Sequence, residues 1–407
     1  MTSTGQRIRS ARHMRQLSAQ QLADRVHISA NYLLKIEAGS RNASTRILLD
    51  LARVLHVNPE VLSGQPYFGT PEGEDRVQAI VPALRRLMLC YDSPEELEVP
   101  PRPLLVLSAE VDQISALRRD AQFARMGPLL PPLVAELTQV ALTSTGRDQW
   151  RAYSELARAY RAVNSLAHKL GHHDLSNTAL ERVRWAADRS GDPLMQFTAA
   201  YLVAGAMLRQ GAYGPGRRML EGLRGELERQ QPERSFTQQA YAIDGALALK
   251  LAMLEAREGQ AEKAGALLDE AQEIASRVGD DVVVRETSFG PSQVRIHRIA
   301  ALLDIGDTEQ AVALPGRWGR DEGRNGEWRP PTGLAAERSS HHFIDYSSAL
   351  LAEGQRDEAF ASLAEARRLA PQHTRFHPKA RDTVGTLVRL DPHPHQDLAA
   401  MARWMSS

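Results

Sequence analysis

The chain has 407 residues, 43% of them hydrophobic and 25% charged, the ordinary range for a globular protein. Basic and acidic residues balance at 50 each, yet residues 1–66 hold nine bases against four acids, so a head of +5 precedes a body of −5. The single cysteine, Cys90, excludes an internal disulfide and a cysteine zinc cage, and no apolar run approaches the roughly 18 residues that span a bilayer.

The N-terminal stretch MTSTGQRIRSARHMRQ is polar and lacks a signal-peptide core, so a cytoplasmic protein with no membrane partner is expected. Five short helices follow. The first runs from about Gln6 to Arg15, with Ile8, Ala11 and Met14 at helical spacing. The second opens at Ser18, where Ser-Ala-Gln-Gln forms a capping box, and turns Leu22, Ala23 and Val26 inward. Only His27-Ile28-Ser29 separates it from the third, which Ser29 caps, Leu33 and Ile36 anchor and Gly39 ends. Ser44 caps the fourth, and Asn58-Pro59 opens the fifth. Two helices joined by so tight a turn make a helix-turn-helix (HTH), whose projecting second member can enter a major groove. Asn31 suits adenine there, and Lys35 suits guanine O6/N7.

The run from IRSARHMRQLSAQQLADRVHISANYLLKIEAGSRN through NPEVL resembles the XRE (phage Cro/C1-type) DNA-binding domain, a lambda-repressor-like fold. The resemblance implies that Ala30, Asn31 and Lys35 read bases with Tyr32 beside them. It also implies that Arg12 and Glu37 form a buried ion pair, and that Ser29, Arg41 and Asn42 lie near phosphates. Two positions depart from the pattern: His27 stands where glycine is usual, and Ala19 where a phosphate-gripping glutamine is usual. Backbone affinity therefore leans on Arg41, Arg46 and main-chain amides.

SGQPYFGTPEGEDR reads as a linker, with domain bounds at 1–66, 67–76 and 77–407. Everything after it reads as helix, because β-branched alternation is scarce. Proline interruptions, among them Pro94, Pro100 and Pro128, break residues 77–145 into additional helices. Glycines at 211, 259, 306 and 354 recur at spacings of 48, 47 and 48 residues, with a weaker copy at Gly171. Each is followed five residues on by a small residue (Gly216, Ala264, Ala311, Ala359) and then a helical run. Such units pair helices antiparallel around a positive-φ turn. They resemble tetratricopeptide (TPR) repeats, with longer helices than the simple form, and imply a TPR-like α-solenoid whose first helices line a concave groove.

Candidate effector residues on those first helices are Tyr153, Tyr160, Asn164, Asp244, Lys250, Gln293, His297, His342 and Tyr346. FGPSQVRIHRIAALLDIGD, which resembles a segment of actinobacterial XRE–TPR regulators, is expected to contribute to the pocket through Gln293 and His297. The Gly/Arg-rich stretch Pro315–Gly333 is expected to be a loop. No phosphate-binding loop, H-E-x-x-H or G-x-S-x-G motif occurs, so neither an enzyme nor a cofactor is expected. GHHDL at 171–175 and DPHPHQD at 391–397 read as solvated turn histidines rather than metal ligands, so no metal is expected. The expectation is an all-α regulator resembling the peptide-sensing RRNPP group. It would bind a palindromic double-stranded operator as a homodimer and respond to a peptide or small-molecule effector. The alternative is an HTH-tethered scaffold whose groove takes a protein partner and no diffusible ligand.

Overall fold

A computed structural model describes residues 3–66, 75–93, 100–230, 236–323, 325–391 and 393–406. Most of the expected linker, 67–74, and Pro94 lie outside them. The chain is all-α: a five-helix HTH domain followed by TPR-like helical hairpins. It packs as two compact units. One comprises Met1–Tyr67, Ala252–Ala266 and Arg295–Ser407, and the other Phe68–Leu251 and Leu267–Val294.

The head consists of α1 (Thr4–Met14), α2 (Ala19–Arg25), α3 (Ala30–Ala38), α4 (Thr45–Leu55) and α5 (Pro59–Ser63). Its starts are written in serines. Ser3 and Ser18 each complete a capping box with a glutamine three residues on, and Ser29 and Ser44 accept from the amides of Tyr32 and Ile47. His27 takes the left-handed conformation at φ 55°, as the tight turn requires, and Gly39 ends α3 at φ 74°. Ile8, Leu22, Leu33, Leu51, Leu55 and Leu62 are completely buried in one core. Burial of each such side chain contributes about 1.5–3 kcal/mol. Gly5 lets α1 cross the end of α3, because a Cβ there would stand 2.2 Å from the Ile36 carbonyl oxygen.

After the head come α6 (Asp75–Gln78), α7 (Val81–Leu89), α8 (Leu104–Arg119), α9 (Phe123–Met126) and α10 (Leu130–Thr143). The repeats follow as α11 (Gly146–Leu170) with α12 (His173–Ala187), and α13 (Pro193–Arg209) with α14 (Tyr213–Gln230). Next are α15 (Gln238–Arg257) with α16 (Ala261–Val278), α17 (Pro291–Ile305) with α18 (Thr308–Asp321), and α19 (Ala336–Ala352) with α20 (Arg356–Leu369). The turn glycines 171, 211, 259, 306 and 354 all have positive φ, between 74° and 96°. Gly216 and the three alanines 264, 311 and 359 are buried where the paired helix crosses. The chain ends with α21 (Pro371–Phe376), α22 (Pro378–Leu390) and α23 (Gln396–Ser406).

Two expectations are corrected. The body is not wholly helical: β1 (Val282–Val284) and β2 (Thr287–Phe289) form an antiparallel hairpin. Its strands are a β-branched triplet and an alternating Thr-Ser-Phe, and Arg285 and Glu286 turn the corner at φ 44° and 70°. Phe289 therefore lies in a strand and seats its ring on Gly245, where a Cβ would be 2.0 Å from it. The stretch Pro315–Gly333 is likewise not simply a loop. Its first residues belong to α18, and Trp328 is buried, with its amide donating to the Pro315 carbonyl at 2.8 Å. Gly319 permits that return, since a Cβ there would sit 1.8 Å from the Gly326 oxygen.

Candidate nucleic-acid interface

Helix α3 is held from behind by charge. Arg12 of α1 donates from Nε and Nη2 to both Glu37 oxygens, at 2.7 and 2.8 Å, and both residues are buried. Its third donor reaches the Leu17 carbonyl at 2.9 Å, so the guanidinium is satisfied as well as paired. The Glu37 hydrogen bond raises the Arg12 pKa against the opposing cost of burial. The resemblance-based pair is thus present, and it fixes the rotation of α3 about its own axis.

With Leu33, Ile36 and Glu37 turned inward, the opposite face presents Ser29, Asn31, Leu34 and Lys35 to solvent. Asn31 and Lys35 lie one turn apart on that face. Ala30 and Tyr32 are half-buried against the head core. The Tyr32 ring lies 6.0 Å from the exposed Arg41 guanidinium. Desolvation pushes its phenol up, and Arg41 opposes that shift. Leu34, 49% exposed, stands on the same outward face and is not among the residues that the sequence pattern singles out. Its spacing of three from Asn31 was the available signal, but an apolar residue reads first as core.

Not every predicted contact residue points outward. The Asn42 Oδ1 accepts from Thr386 Oγ1 of α22 at 2.7 Å. Arg46, by contrast, is exposed, 3.9 Å from Asp50 and beside the Gly259 turn, where a Cβ would meet its Nη1 at 3.0 Å. Three head arginines are structural. Arg7 donates to the Leu62 and Ser63 carbonyls at 2.7 Å, and Arg15 to the Leu55 carbonyl at 2.8 Å. Arg12 is in the ion pair. Cations at helix C-termini suit the helix dipole, so part of the +5 head charge serves the fold.

Helix α3 is also gripped at its far end. Arg389 of α22 donates from Nε to the Gly39 carbonyl at 2.9 Å, and Thr386 Oγ1 lies 3.4 Å from the same oxygen. Thr4 Oγ1 donates to Asp382 of α22 at 2.7 Å. The Arg389 and Thr386 contacts touch the C-terminal end of α3 and leave its N-terminal face exposed.

The predicted effector residues divide. Tyr160 is completely buried, 3.5 Å from Thr138 Oγ1, with its hydroxyl pushed up to about 12 by burial. Asn164 donates to the Ser176 carbonyl and hydroxyl at 3.0 and 2.8 Å and ties α11 to α12. Asp244 accepts from Arg224 at 2.6 Å, which also reaches Glu270 at 2.6 Å. Tyr153 stacks edge-on with Trp185 at 5.4 Å. These four hold helices together. Lys250 lies 4.5 Å over the Tyr201 ring. On α17, Gln293 is buried and His297 half-buried. His342 and Tyr346 stack at 5.8 Å, His342 also meets Trp328 at 5.2 Å, and the Tyr346 hydroxyl donates to Glu327 at 2.7 Å. Burial, with Arg329 nearby, pushes His342 down to about 3.

A helix-turn-helix domain model matches residues 4–63. Among solved structures, the chain is similar to Bacillus thuringiensis PlcR in complex with the peptide PapR7 and DNA, at 13% identity and TM-score 0.32. That match covers 87% of this chain and 99% of PlcR. It is also similar to the apo competence regulator ComR from Streptococcus vestibularis, at 16% identity and TM-score 0.26, over 74% of this chain and 98% of ComR. No curated protein matches the chain. The head geometry and the domain match agree on the class of the head, a helix-turn-helix domain, which a helical-repeat body follows. No helix among the described residues is long and apolar enough to cross a membrane.

Proposed function

We propose that the protein is a one-component transcriptional regulator of the XRE type. Its head reads an operator in the major groove, and its TPR-like body receives a signal. The supporting observation is the outward face of α3, with Asn31, Leu34 and Lys35 exposed on a helix whose rotation the Arg12–Glu37 pair fixes. Asn31 pairs with adenine, Lys35 with guanine, and Leu34 contacts a thymine methyl; Ser29 and Arg41 neutralise or bond phosphates. Asn42 contributes by fixing the head, while exposed Arg46 is a further phosphate contact. A homodimer on a palindromic operator follows from two-fold matching of protein and site.

The test is operator selection with purified full-length protein, then binding by two variants. Asn31→Ala is expected to lose about 1–3 kcal/mol of discrimination at one base pair. Arg41→Ala is expected to weaken all sequences alike and flatten the salt dependence. If both leave affinity and specificity unchanged, the reader face is misassigned.

The signal is a peptide or small molecule taken up by the repeat body, acting by its differential affinity for two arrangements of the protein. The scaffold reading also has an observation in its favour: Tyr160, Asn164 and Asp244 are spent on bonds between helices. A protein partner, needing no deep cavity, suits a groove so occupied. A diffusible effector raises the melting temperature of the purified chain, whereas a scaffold shows no such shift.

A further inference from the structure

One side-chain cluster in the first unit belongs to neither the reader face nor the predicted effector set. His341 of α19, His373 of α21 and His377, which precedes α22, each offer a ring nitrogen, and the three nitrogens lie within 4.8 Å of one another. Their rings are 4.5, 5.0 and 5.3 Å apart, centroid to centroid. We propose that these three histidines hold a divalent transition-metal cation, with Zn2+ the best fit to the donor set.

The chemistry supports this in three ways. Three imidazoles and no thiolate or carboxylate suit zinc, copper or nickel rather than magnesium or calcium. Zn–N bonds of about 2.0–2.1 Å place tetrahedral donor atoms about 3.4 Å apart, so only a small contraction of the cluster is needed. An outer hydrogen bond also orients one ring. The Ser340 hydroxyl points its proton at the Glu337 carbonyl, 3.3 Å away, and its oxygen is 2.5 Å from His373 Nδ1. With Ser340 donating to that carbonyl, Nδ1–H donates to Ser340 and Nε2 faces a metal, the arrangement usual behind metal-bound histidines.

The scaffold is suitably stiff. His373 and His377 stand four residues apart across α21 and its end, the spacing that puts two imidazoles on one helical face. His373 is completely buried, while His341 and His377 are only partly so, which leaves an exposed side for a fourth, exchangeable ligand such as water. Four residues beyond His341, Asp345 accepts from Lys379 Nζ at 2.5 Å and pins α22 to α19. His377 heads α22, the helix that grips α3 through Arg389 and Thr386. A cation here joins α19, α21 and the start of α22, and so stiffens the mount of the reader helix.

Full-length protein, stripped with chelator, is titrated with Co2+ and with Zn2+. One equivalent of Co2+ is expected to give the visible absorption of a low-coordinate nitrogen site, displaced by Zn2+, and Zn2+ is expected to raise the melting temperature. His341→Gln and His377→Gln, each checked for native helicity, are expected to weaken uptake by tenfold or more and abolish the shift. A His168→Gln/His173→Gln double variant removes another close histidine pair, 3.4 Å apart, and is expected to bind as the wild type does. Wild-type protein that takes up no stoichiometric metal overturns the proposal. So does uptake that survives both cluster variants or is lost only in the 168/173 variant.

Discussion

Arg12 and Glu37 stand 25 residues apart in sequence and meet with both carboxylate oxygens engaged inside the head. Such a pair contributes little net stability, since desolvation offsets most of the attraction, but losing one partner strands the other. Glu37→Ala is accordingly expected to cost about 3–5 kcal/mol, measured by urea unfolding of the head transition, and Arg12→Met/Glu37→Met is expected to recover much of that loss. A single variant as stable as the wild type would show that the pair does not orient α3. Gly5 belongs to the same scale. Its role is a missing Cβ against the Ile36 carbonyl, which no local pattern announces. Ser3 and Gln6 carry the same capping box as Ser18 and Gln21, yet only the second was read, so α1 starts earlier than expected. At the reader face, exposed Asn31 and Lys35 follow from the positions of Leu33 and Ile36 at helical spacing. The inward turn of Asn42 does not, because its partner Thr386 lies 344 residues away.

Among elements, the β1–β2 hairpin departs most from the sequence reading. Its turn residue Glu286 is buried, with one oxygen 2.8 Å from Ser115 Oγ and the other 2.7 Å from Arg118, and with Arg158 at 3.1 Å. Arg158 in turn pairs with Asp112 and Glu155. Burial pushes the Glu286 carboxyl up, but Arg118 and Arg158, aided by Ser115, overcome it and hold it down to about 2. A folded-state pKa below the unfolded value of 4.5 means that the unfolded chain binds more protons between the two. The carboxylate therefore stabilises the hairpin fully above about pH 4.5, and its contribution fades as pH falls toward 2. Glu286→Gln is expected to lower the melting temperature near neutrality, with the gap from wild type narrowing across that window. A gap independent of pH would remove the carboxylate from this role. An eight-residue hairpin among long helices has no periodicity of its own strong enough to override the surrounding helical signal. The Val282–Val284 triplet was its only local sign. Helix α18 shows the opposite case: a proline and glycines suggested a loop, while packing of Trp328 beside His342 drew the segment into order.

For the whole molecule, the consequential feature is that the N-terminal head and the C-terminal helix α22 belong to one compact unit. Gly39, Asn42 and Thr4 of the head meet Arg389, Thr386 and Asp382 of α22. These contacts couple α22 directly to the C-terminal end of α3 and to the start of α1. Replacing Arg389 and Thr386 together, as Arg389→Ala/Thr386→Val, is expected to speed hydrogen exchange at the Gly39, Ser40 and Arg41 amides. Protection at the Leu33 and Ile36 amides is expected to persist, since the head keeps its own core. Equal exchange in both proteins would mean that the grip has no energetic weight. The sequence alone determined what short-range chemistry controls: serine caps, positive-φ glycine turns, small crossing residues, the helical face of α3 and the repeat of paired helices. Those features act within a few residues, so their signal is local and periodic. Tertiary structure alone decided which cations serve the fold, which predicted groove residues bind their neighbours, and how His341 comes to meet His373 and His377. Those outcomes depend on contacts between distant segments, and burial and pairing there outweigh what any single stretch of chain prefers.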